Sequence, residues 1–339
     1  MGVGRGKPVR GEWPRLLPAK EKGTYVMSET GALLLKVDEP RAEAWTAALA
    51  DFLPDVPVRV WPDVGEREEI RFALLWKPSA SLFEGLDNLE VIFSVGAGFD
   101  HLLACPTLPA GIPVVRMVEP ELTAGMVEFV VFNVLRFHRR MDEYQRFQQD
   151  RLWQALDQVP ARETSVGIMG LGVMGANAAR VLTGMNYRLL GWSRSEKDIA
   201  GLQSFVGREE LNTFLAQTKI LVVLLPLSRD TRKLIDRDVL WQLPRGAFLI
   251  NAGRGELVNE SHLTEALDSG QIAGAALDVF DEEPLPSEHP FWCHPAVTLT
   301  PHIASLTNSR TAAEVVADNI ERHRAGHPLR YVVDFERGY

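Results

Sequence analysis

The most constraining feature of this chain is a turn in its middle. Residues Gly170-Leu171-Gly172-Val173-Met174-Gly175 fit G-x-G-x-x-G, directly after the apolar run Ser165–Met169 and directly before an alanine-rich stretch. A glycine pattern alone also serves ordinary strand–turn–helix connections. Between a buried strand and a helix it acquires a specific physical meaning. Gly170 permits the tight turn, Gly172 lets the backbone approach a pyrophosphate at the helix N-terminus, and Gly175 lets helix and strand pack closely. The setting favours a dinucleotide loop, with Leu171, Val173 and Met174 carried between the glycines.

Around that turn, short apolar runs alternate with helical stretches. Before it, strands are predicted at Ala32–Val37, Val58–Trp61, Phe72–Trp76, Leu89–Val95 and Pro113–Val118, with helices over Arg41–Phe52 and Ser79–Leu86. From residue 164 a second series follows, with strands at Ser165–Met169, Tyr187–Trp192, Lys219–Leu225, Ala247–Asn251, Ala273–Leu277 and Val297–Thr300. Helices over Met174–Thr183 and Asn259–Ser269 separate some of them. This alternation predicts parallel α/β sheets. Between the two series, Ala124–Gln149 reads as one long helix, apolar nearly all round in its first half. A helix without a wet face is buried on more than one side, against another domain or another subunit.

Composition sets the outer limits. The 339 residues suggest about two domains, and 46% hydrophobic with 24% charged residues suits packed cores. No apolar run reaches the roughly 18 residues of a spanning helix. The balance of 36 basic against 45 acidic residues gives −9, which argues against a nucleic-acid binder. Cys105 and Cys293 are too few for a disulfide framework and lack metal-ligand spacing, so a reduced, cytoplasmic setting and no metal are expected. Residues 1–27 are basic and rich in Gly and Pro, without the apolar core of a secretory signal. They read as a flexible extension, with Met27 a candidate translation start.

The strand ends of the second series carry the chemistry, because ligands of open α/β sheets bind beyond the carboxyl ends of the strands. After Tyr187–Trp192 an NAD site would place an acid for the ribose 2′-hydroxyl; here stand Ser193, Arg194 and Ser195. Two hydroxyls and a guanidinium suit a 2′-phosphate, which favours NADP(H) over NAD(H); the alternative is a solvated surface arginine. Arg254 follows Ala247–Asn251, Asp278 and Glu283 follow Ala273–Leu277, and His302 follows Val297–Thr300. Each alone has an ordinary structural explanation. Together they bring a cation, a carboxylate and an imidazole to the edge that holds the phosphate loop. His138, His262, His323 and His327 read as structural, and His101 and His294 have no evident role.

The succession G-L-G-V-M-G, N-A-G-R-G-E-L-V, L-D-V-F-D-E-E-P-L and T-P-H-I-A resembles the D-isomer-specific 2-hydroxyacid dehydrogenase family. W-S-R-S, R-R-M-D-E-Y-Q, G-R-E-E-L and the C-terminal R-G-Y further resemble its glyoxylate/hydroxypyruvate reductase A type. The resemblance covers residues 30–339. It implies two doubly wound parallel-sheet domains. A Rossmann nucleotide-binding domain (123–300) is inserted into a flavodoxin-like substrate domain (28–122 and 301–339). It implies that Arg254 holds the substrate, His302 is the general acid and Glu283 orients it. Gly96, Ala97 and Gly98, with Trp76, line the substrate, and Asp278 lies near the nicotinamide. Leu225, Pro226, Ala252 and Gly253 complete the nucleotide site. NADPH-dependent reduction of a small 2-oxoacid by a homodimer, without nucleic-acid or membrane partners, is the expected activity. A phosphoglycerate- or formate-type member and a nucleotide-sensing corepressor remain alternatives. A 3-hydroxyacid or imine reductase shares the loop, but usually begins with it and uses a helical second domain.

Overall fold

The computed structural model describes residues 31–335; the predicted extension at 1–27 and the R-G-Y tail lie outside them. The described chain divides into two compact units, 31–117 with 309–334 and 118–308.

The first unit is built on five parallel strands: β1 (Ala32–Lys36), β2 (Val58–Val60), β3 (Ile70–Leu75), β4 (Val91–Ser94) and β5 (Val114–Val115), in the order β2-β1-β3-β4-β5. Leu33, Leu34 and Leu35 are all fully buried, as are Ala73, Leu74 and Leu75. Consecutive buried residues mean that both faces of the sheet are covered, which is why these strands read as unbroken apolar runs. Helix α1 (Glu39–Phe52) packs against α9 (Ser309–Arg324), the returning end of the chain. Two features differ from the sequence reading. The helix predicted over Ser79–Leu86 is a single 3-10 turn, Ala80–Phe83, and a short α2 forms at Asp100–Leu103. Proline at 78 and glycine at 85 leave too few residues for a stable α-helix.

The second unit holds seven parallel strands: β6 (Ser165–Met169), β7 (Arg188–Ser193), β8 (Leu202–Val206), β9 (Ile220–Val223), β10 (Ala247–Asn251), β11 (Ile272–Leu277) and β12 (Val297–Leu299). Their order is β12-β11-β10-β9-β6-β7-β8, so the winding reverses between β6 and β9. A crevice opens at such a switch point, beyond the carboxyl ends of the two strands. β8 escaped the sequence reading: it is an edge strand with Phe205 as its one buried residue.

The predicted helix Ala124–Gln149 is two helices, α3 (Pro120–His138) and α4 (Met141–Gln149). The break is at Arg140, whose φ of +56° is left-handed and cannot continue a helix. The buried Glu119 carboxylate caps α3, accepting from the N–H groups of Glu121 (2.7 Å) and Leu122 (2.8 Å). Met126, Val130, Val134 and Phe137 join the core of this unit, while Phe132 on the far side is 63% exposed. Residues 301–308 group with this unit, later than the division expected at 300/301. Asn308 N–H donates to Glu119, and the Ser305 hydroxyl donates to the Leu122 carbonyl. These bonds hold the segment against the start of α3.

The remaining helices are α5 (Val173–Gly184), α6 (Leu211–Leu215), α7 (Arg237–Gln242) and α8 (Glu260–Asp268).

Candidate active site

The glycine loop ends β6 and opens α5. Gly170 has φ +101°, and a Cβ there would lie 2.6 Å from the Leu224 carbonyl oxygen. At Gly175 a Cβ would stand 1.9 Å from the Gly170 carbonyl oxygen, so only glycine lets the helix close onto the turn. Gly172 differs: it is exposed, and a Cβ there would meet nothing within 4 Å. No side chain caps the first turn of α5. Uncapped N–H groups at a helix start, beside an open space, form a cradle for an anionic phosphate. Val173 and Met174 are half-buried around it. Leu171 points inward, into the core that also holds Ala178, Leu182 and Leu189.

At the end of β7, Ser193 is buried and its hydroxyl donates to the Ser195 carbonyl at 2.7 Å. It shapes the turn that leaves Arg194 and Ser195 exposed. After β9, Leu225 is buried in the core and Pro226 is exposed.

β10 ends on Asn251, only 1% exposed. Its side-chain amide donates to the Arg254 carbonyl (3.0 Å) and its Oδ1 accepts from Gly253 N–H (3.2 Å). The side chain thus folds Ala252-Gly253-Arg254 into a braced turn. Gly253 sits against Leu257 and the Leu225 carbonyl, without room for a Cβ. Arg254 is half-buried, with Nη1 donating to the Gly253 carbonyl at 2.7 Å. A Cβ on Gly255 would lie 1.9 Å from the Phe280 carbonyl carbon. That contact seats the arginine turn directly on the strand-end loop that carries Glu283. Sequence reasoning missed the structural duties of Asn251 and Gly255, although both lie within the N-A-G-R-G signature.

The third group is an imidazole held by one carboxyl side chain, on a loop held by another. His302 Nδ1 lies 2.8 Å from Glu283 Oε2, while Glu283 Oε1 accepts from Phe280 N–H at 3.1 Å. Among the described residues no partner meets His302 Nε2, and the side chain is 35% exposed. His302 has φ +56°, a left-handed conformation that costs about 1–3 kcal/mol for a non-glycine residue and persists only where surroundings enforce it. Asp278 supplies the enforcement. Its backbone carbonyl accepts from His302 N–H (2.9 Å). Its carboxylate accepts from the Thr300 hydroxyl (2.6 Å), Ile303 N–H (2.8 Å) and Ala304 N–H (2.8 Å). Burial pushes the Asp278 carboxyl up, and these hydrogen bonds pull it back in part. In the structure this residue is the clamp of the histidine loop.

In the first unit, Ser94 ends β4 fully buried, its Oγ 2.9 Å and 2.8 Å from the carbonyl oxygens of Gly96 and Gly98. His101 completes the bracket. Its Nδ1 accepts from Lys77 N–H (3.2 Å), so Nε2 carries the proton that reaches Ser94 Oγ at 3.0 Å. The Trp76 ring packs at 4.5 Å on His101 and abuts Gly96. The Gly96-Ala97-Gly98 loop is therefore held from beneath, and no described hydrogen bond uses the N–H of Ala97 or Gly98.

Residues 131–304 match the model of the D-isomer specific 2-hydroxyacid dehydrogenase NAD binding domain. A glyoxylate/hydroxypyruvate reductase A of Salmonella newport is 42% identical over 300 residues, 87% of this chain and 96% of the relative. The chain belongs to the D-isomer specific 2-hydroxyacid dehydrogenase family. Among solved structures, a family member from Xanthobacter autotrophicus Py2 in complex with NADPH and MES has a TM-score of 0.88. It is 41% identical, over 91% of this chain and 99% of that one. An NADPH-dependent glyoxylate/hydroxypyruvate reductase from Sinorhizobium meliloti, in complex with NADP and sulfate, has a TM-score of 0.86. It is 38% identical, over 91% of this chain and all of that one. The family implies a nicotinamide dinucleotide, and the open cradle at Gly172 with the uncapped start of α5 fits its phosphates.

Proposed function

We propose that this chain uses NADPH to reduce small 2-oxoacids, glyoxylate to glycolate and hydroxypyruvate to glycerate. The observation that carries the reading is the Glu283–His302 pair, with one imidazole nitrogen committed and the other left over. The likeness to NADPH-dependent reductases supports the substrate and the cofactor.

The turn that Gly170 and Gly175 make possible presents Gly172 and the start of α5 to the pyrophosphate, and Arg194 with Ser195 holds the 2′-phosphate. Leu225, Pro226, Ala252 and Gly253 flank the rest of the nucleotide, with Asp278 near its nicotinamide end. The bound nucleotide supplies a hydride. Arg254 binds the oxoacid carboxylate and polarises its carbonyl through charge-assisted hydrogen bonds. His302 delivers the proton from Nε2 to the carbonyl oxygen, which becomes the product hydroxyl. Glu283 holds Nδ1, so the ring keeps one orientation with Nε2 directed away from the carboxylate. In the first unit, the N–H groups of the Gly96–Gly98 loop take a carboxylate and Trp76 walls it.

The protein is read as a cytoplasmic homodimer. Phe132 on the outer face of α3 is 63% exposed, and residues 151–160 present Leu152, Val159 and a fully exposed Trp153. Exposed apolar surface of this kind suits a subunit contact. Light scattering at the mass of one chain would remove this part of the reading.

NADPH oxidation followed with glyoxylate, hydroxypyruvate, pyruvate and a 3-oxoacid tests the activity. Turnover of the first two is expected. Tight NADPH binding without turnover of any 2-oxoacid would instead mark a nucleotide-sensing protein.

A further inference from the structure

We propose that Glu260, in the first turn of α8, is a positioning residue that holds Glu283 against His302. The inference rests on the roles given above to Glu283 and His302. Glu283 belongs to the irregular loop between β11 and the 3-10 turn Pro290–Cys293, a segment with no ladder or helix of its own. A loop of this kind orients a catalytic partner only where its ends are tied down.

Both ends are tied to one carboxylate. Glu260 Oε1 accepts from Asp281 N–H at 3.1 Å, two residues before Glu283. Glu260 Oε2 meets His289 Nε2 at 3.3 Å, six residues after it. The ring nitrogens divide these duties clearly. His289 Nδ1 accepts from Phe291 N–H at 3.3 Å, so Nε2 carries the hydrogen donated to Glu260. The two side chains are 22% and 19% exposed, sheltered enough for the pair to hold its geometry. The other contacts of the loop reinforce this closure. Lys233 pairs with Asp281 and donates to the Val258 carbonyl, and Trp292 Nε1 donates to the Pro286 carbonyl at 2.8 Å. The carboxylate of Glu260 thus closes the loop into a ring with Glu283 inside it. His289 drew no attention as a sequence position, because nothing local links it to residue 260.

The competing role is purely structural: an acidic side chain in a first helical turn stabilises the helix through its dipole, wherever the loop lies. Steady-state kinetics with NADPH and glyoxylate separate the two for Glu260→Ala, Glu260→Gln, Glu283→Gln and the double variant Glu260→Ala/Glu283→Gln. Glu260→Ala is expected to lower kcat about tenfold, less than the roughly hundredfold that a 1 Å misplacement can cost, while the KM for NADPH stays unchanged. Glu260→Gln keeps an acceptor for Asp281 N–H but faces His289 Nε2–H with a donor, so its loss is intermediate. In the Glu283→Gln background, Glu260→Ala should cost nothing more, because the two residues act through one contact. Equal fractional losses in both backgrounds would overturn the proposal, as would a lowered melting temperature with unchanged kcat. If Glu283→Gln and His302→Ala themselves leave kcat intact, the assignment of the catalytic pair fails instead.

Discussion

The two units place a glycine loop at the carboxyl end of an interior strand, and they use it differently. After β4, the Ser94 and His101 side chains beneath Gly96–Gly98 are spent on fixed partners: Ser94 on two backbone carbonyls, and His101 on Ser94 and the Lys77 backbone N–H. What these two side chains leave to a ligand is backbone N–H and the Trp76 ring, a surface suited to binding. Across the strand ends of the second unit, hydrogen-bonding capacity is left over. Gly172 opens onto free space, and His302 uses Nδ1 while Nε2 has no described partner. The difference lies less in residue type than in which groups are already satisfied. A histidine stands beside each loop, but His101 has both ring nitrogens engaged, whereas His302 leaves Nε2 without a described partner.

That contrast breaks first at His302. His302→Ala should lower kcat about a thousandfold, within the range contributed by a general acid, and leave NADPH affinity unchanged in a fluorescence titration. Unchanged turnover would end the distinction between the units. Arg194→Asp should next raise the KM for NADPH about thirtyfold, the loss of a charged hydrogen bond worth about 2 kcal/mol, and leave NADH nearly unaffected. Equal losses with both nucleotides would cancel the assignment of Arg194 to the 2′-phosphate. In the first unit, Ser94→Ala should loosen the loop without touching proton transfer. The expected result is an oxoacid KM about fivefold higher, or about 1 kcal/mol, with kcat nearly constant. A fall in kcat alone would show that the first loop does more than bind.

The smallest effect concerns Asp278. Its carboxyl is raised from 3.8 by burial, so between that value and its folded one the native state holds more protons than the unfolded chain. Stability contributed there is present at low pH and is lost as pH rises through the folded value. Urea unfolding should therefore show the wild type losing ground to Asp278→Asn as pH rises above 3.8. A constant difference would mean that Asp278 titrates alike in both states.

Much of this was legible along the chain, for local reasons. Strand cores buried on both faces gave continuous apolar runs, the glycines of the nucleotide turn are adjacent in sequence, and Arg254, Glu283 and His302 each follow a strand. Where a residue's role depends on distant partners, pattern reading failed. β8 has one buried residue and little periodicity. The break at Arg140 turns on a single left-handed residue within an otherwise helical stretch. Ser193 has the position of a ligand group, but its hydroxyl is spent on the Ser195 carbonyl. The His302 loop is held by Asp278, and Glu283 by a carboxylate at residue 260.

By itself the sequence determined the two parallel sheets, the glycine turn and the set of charged strand-end residues, because periodicity and spacing express burial and turn geometry directly. Only the tertiary structure decided where the chain divides, which histidine nitrogen is left over and which carboxylates are clamps. Those outcomes depend on hydrogen bonds between residues far apart in the chain, and a spent donor and an available one are the same letter in the sequence.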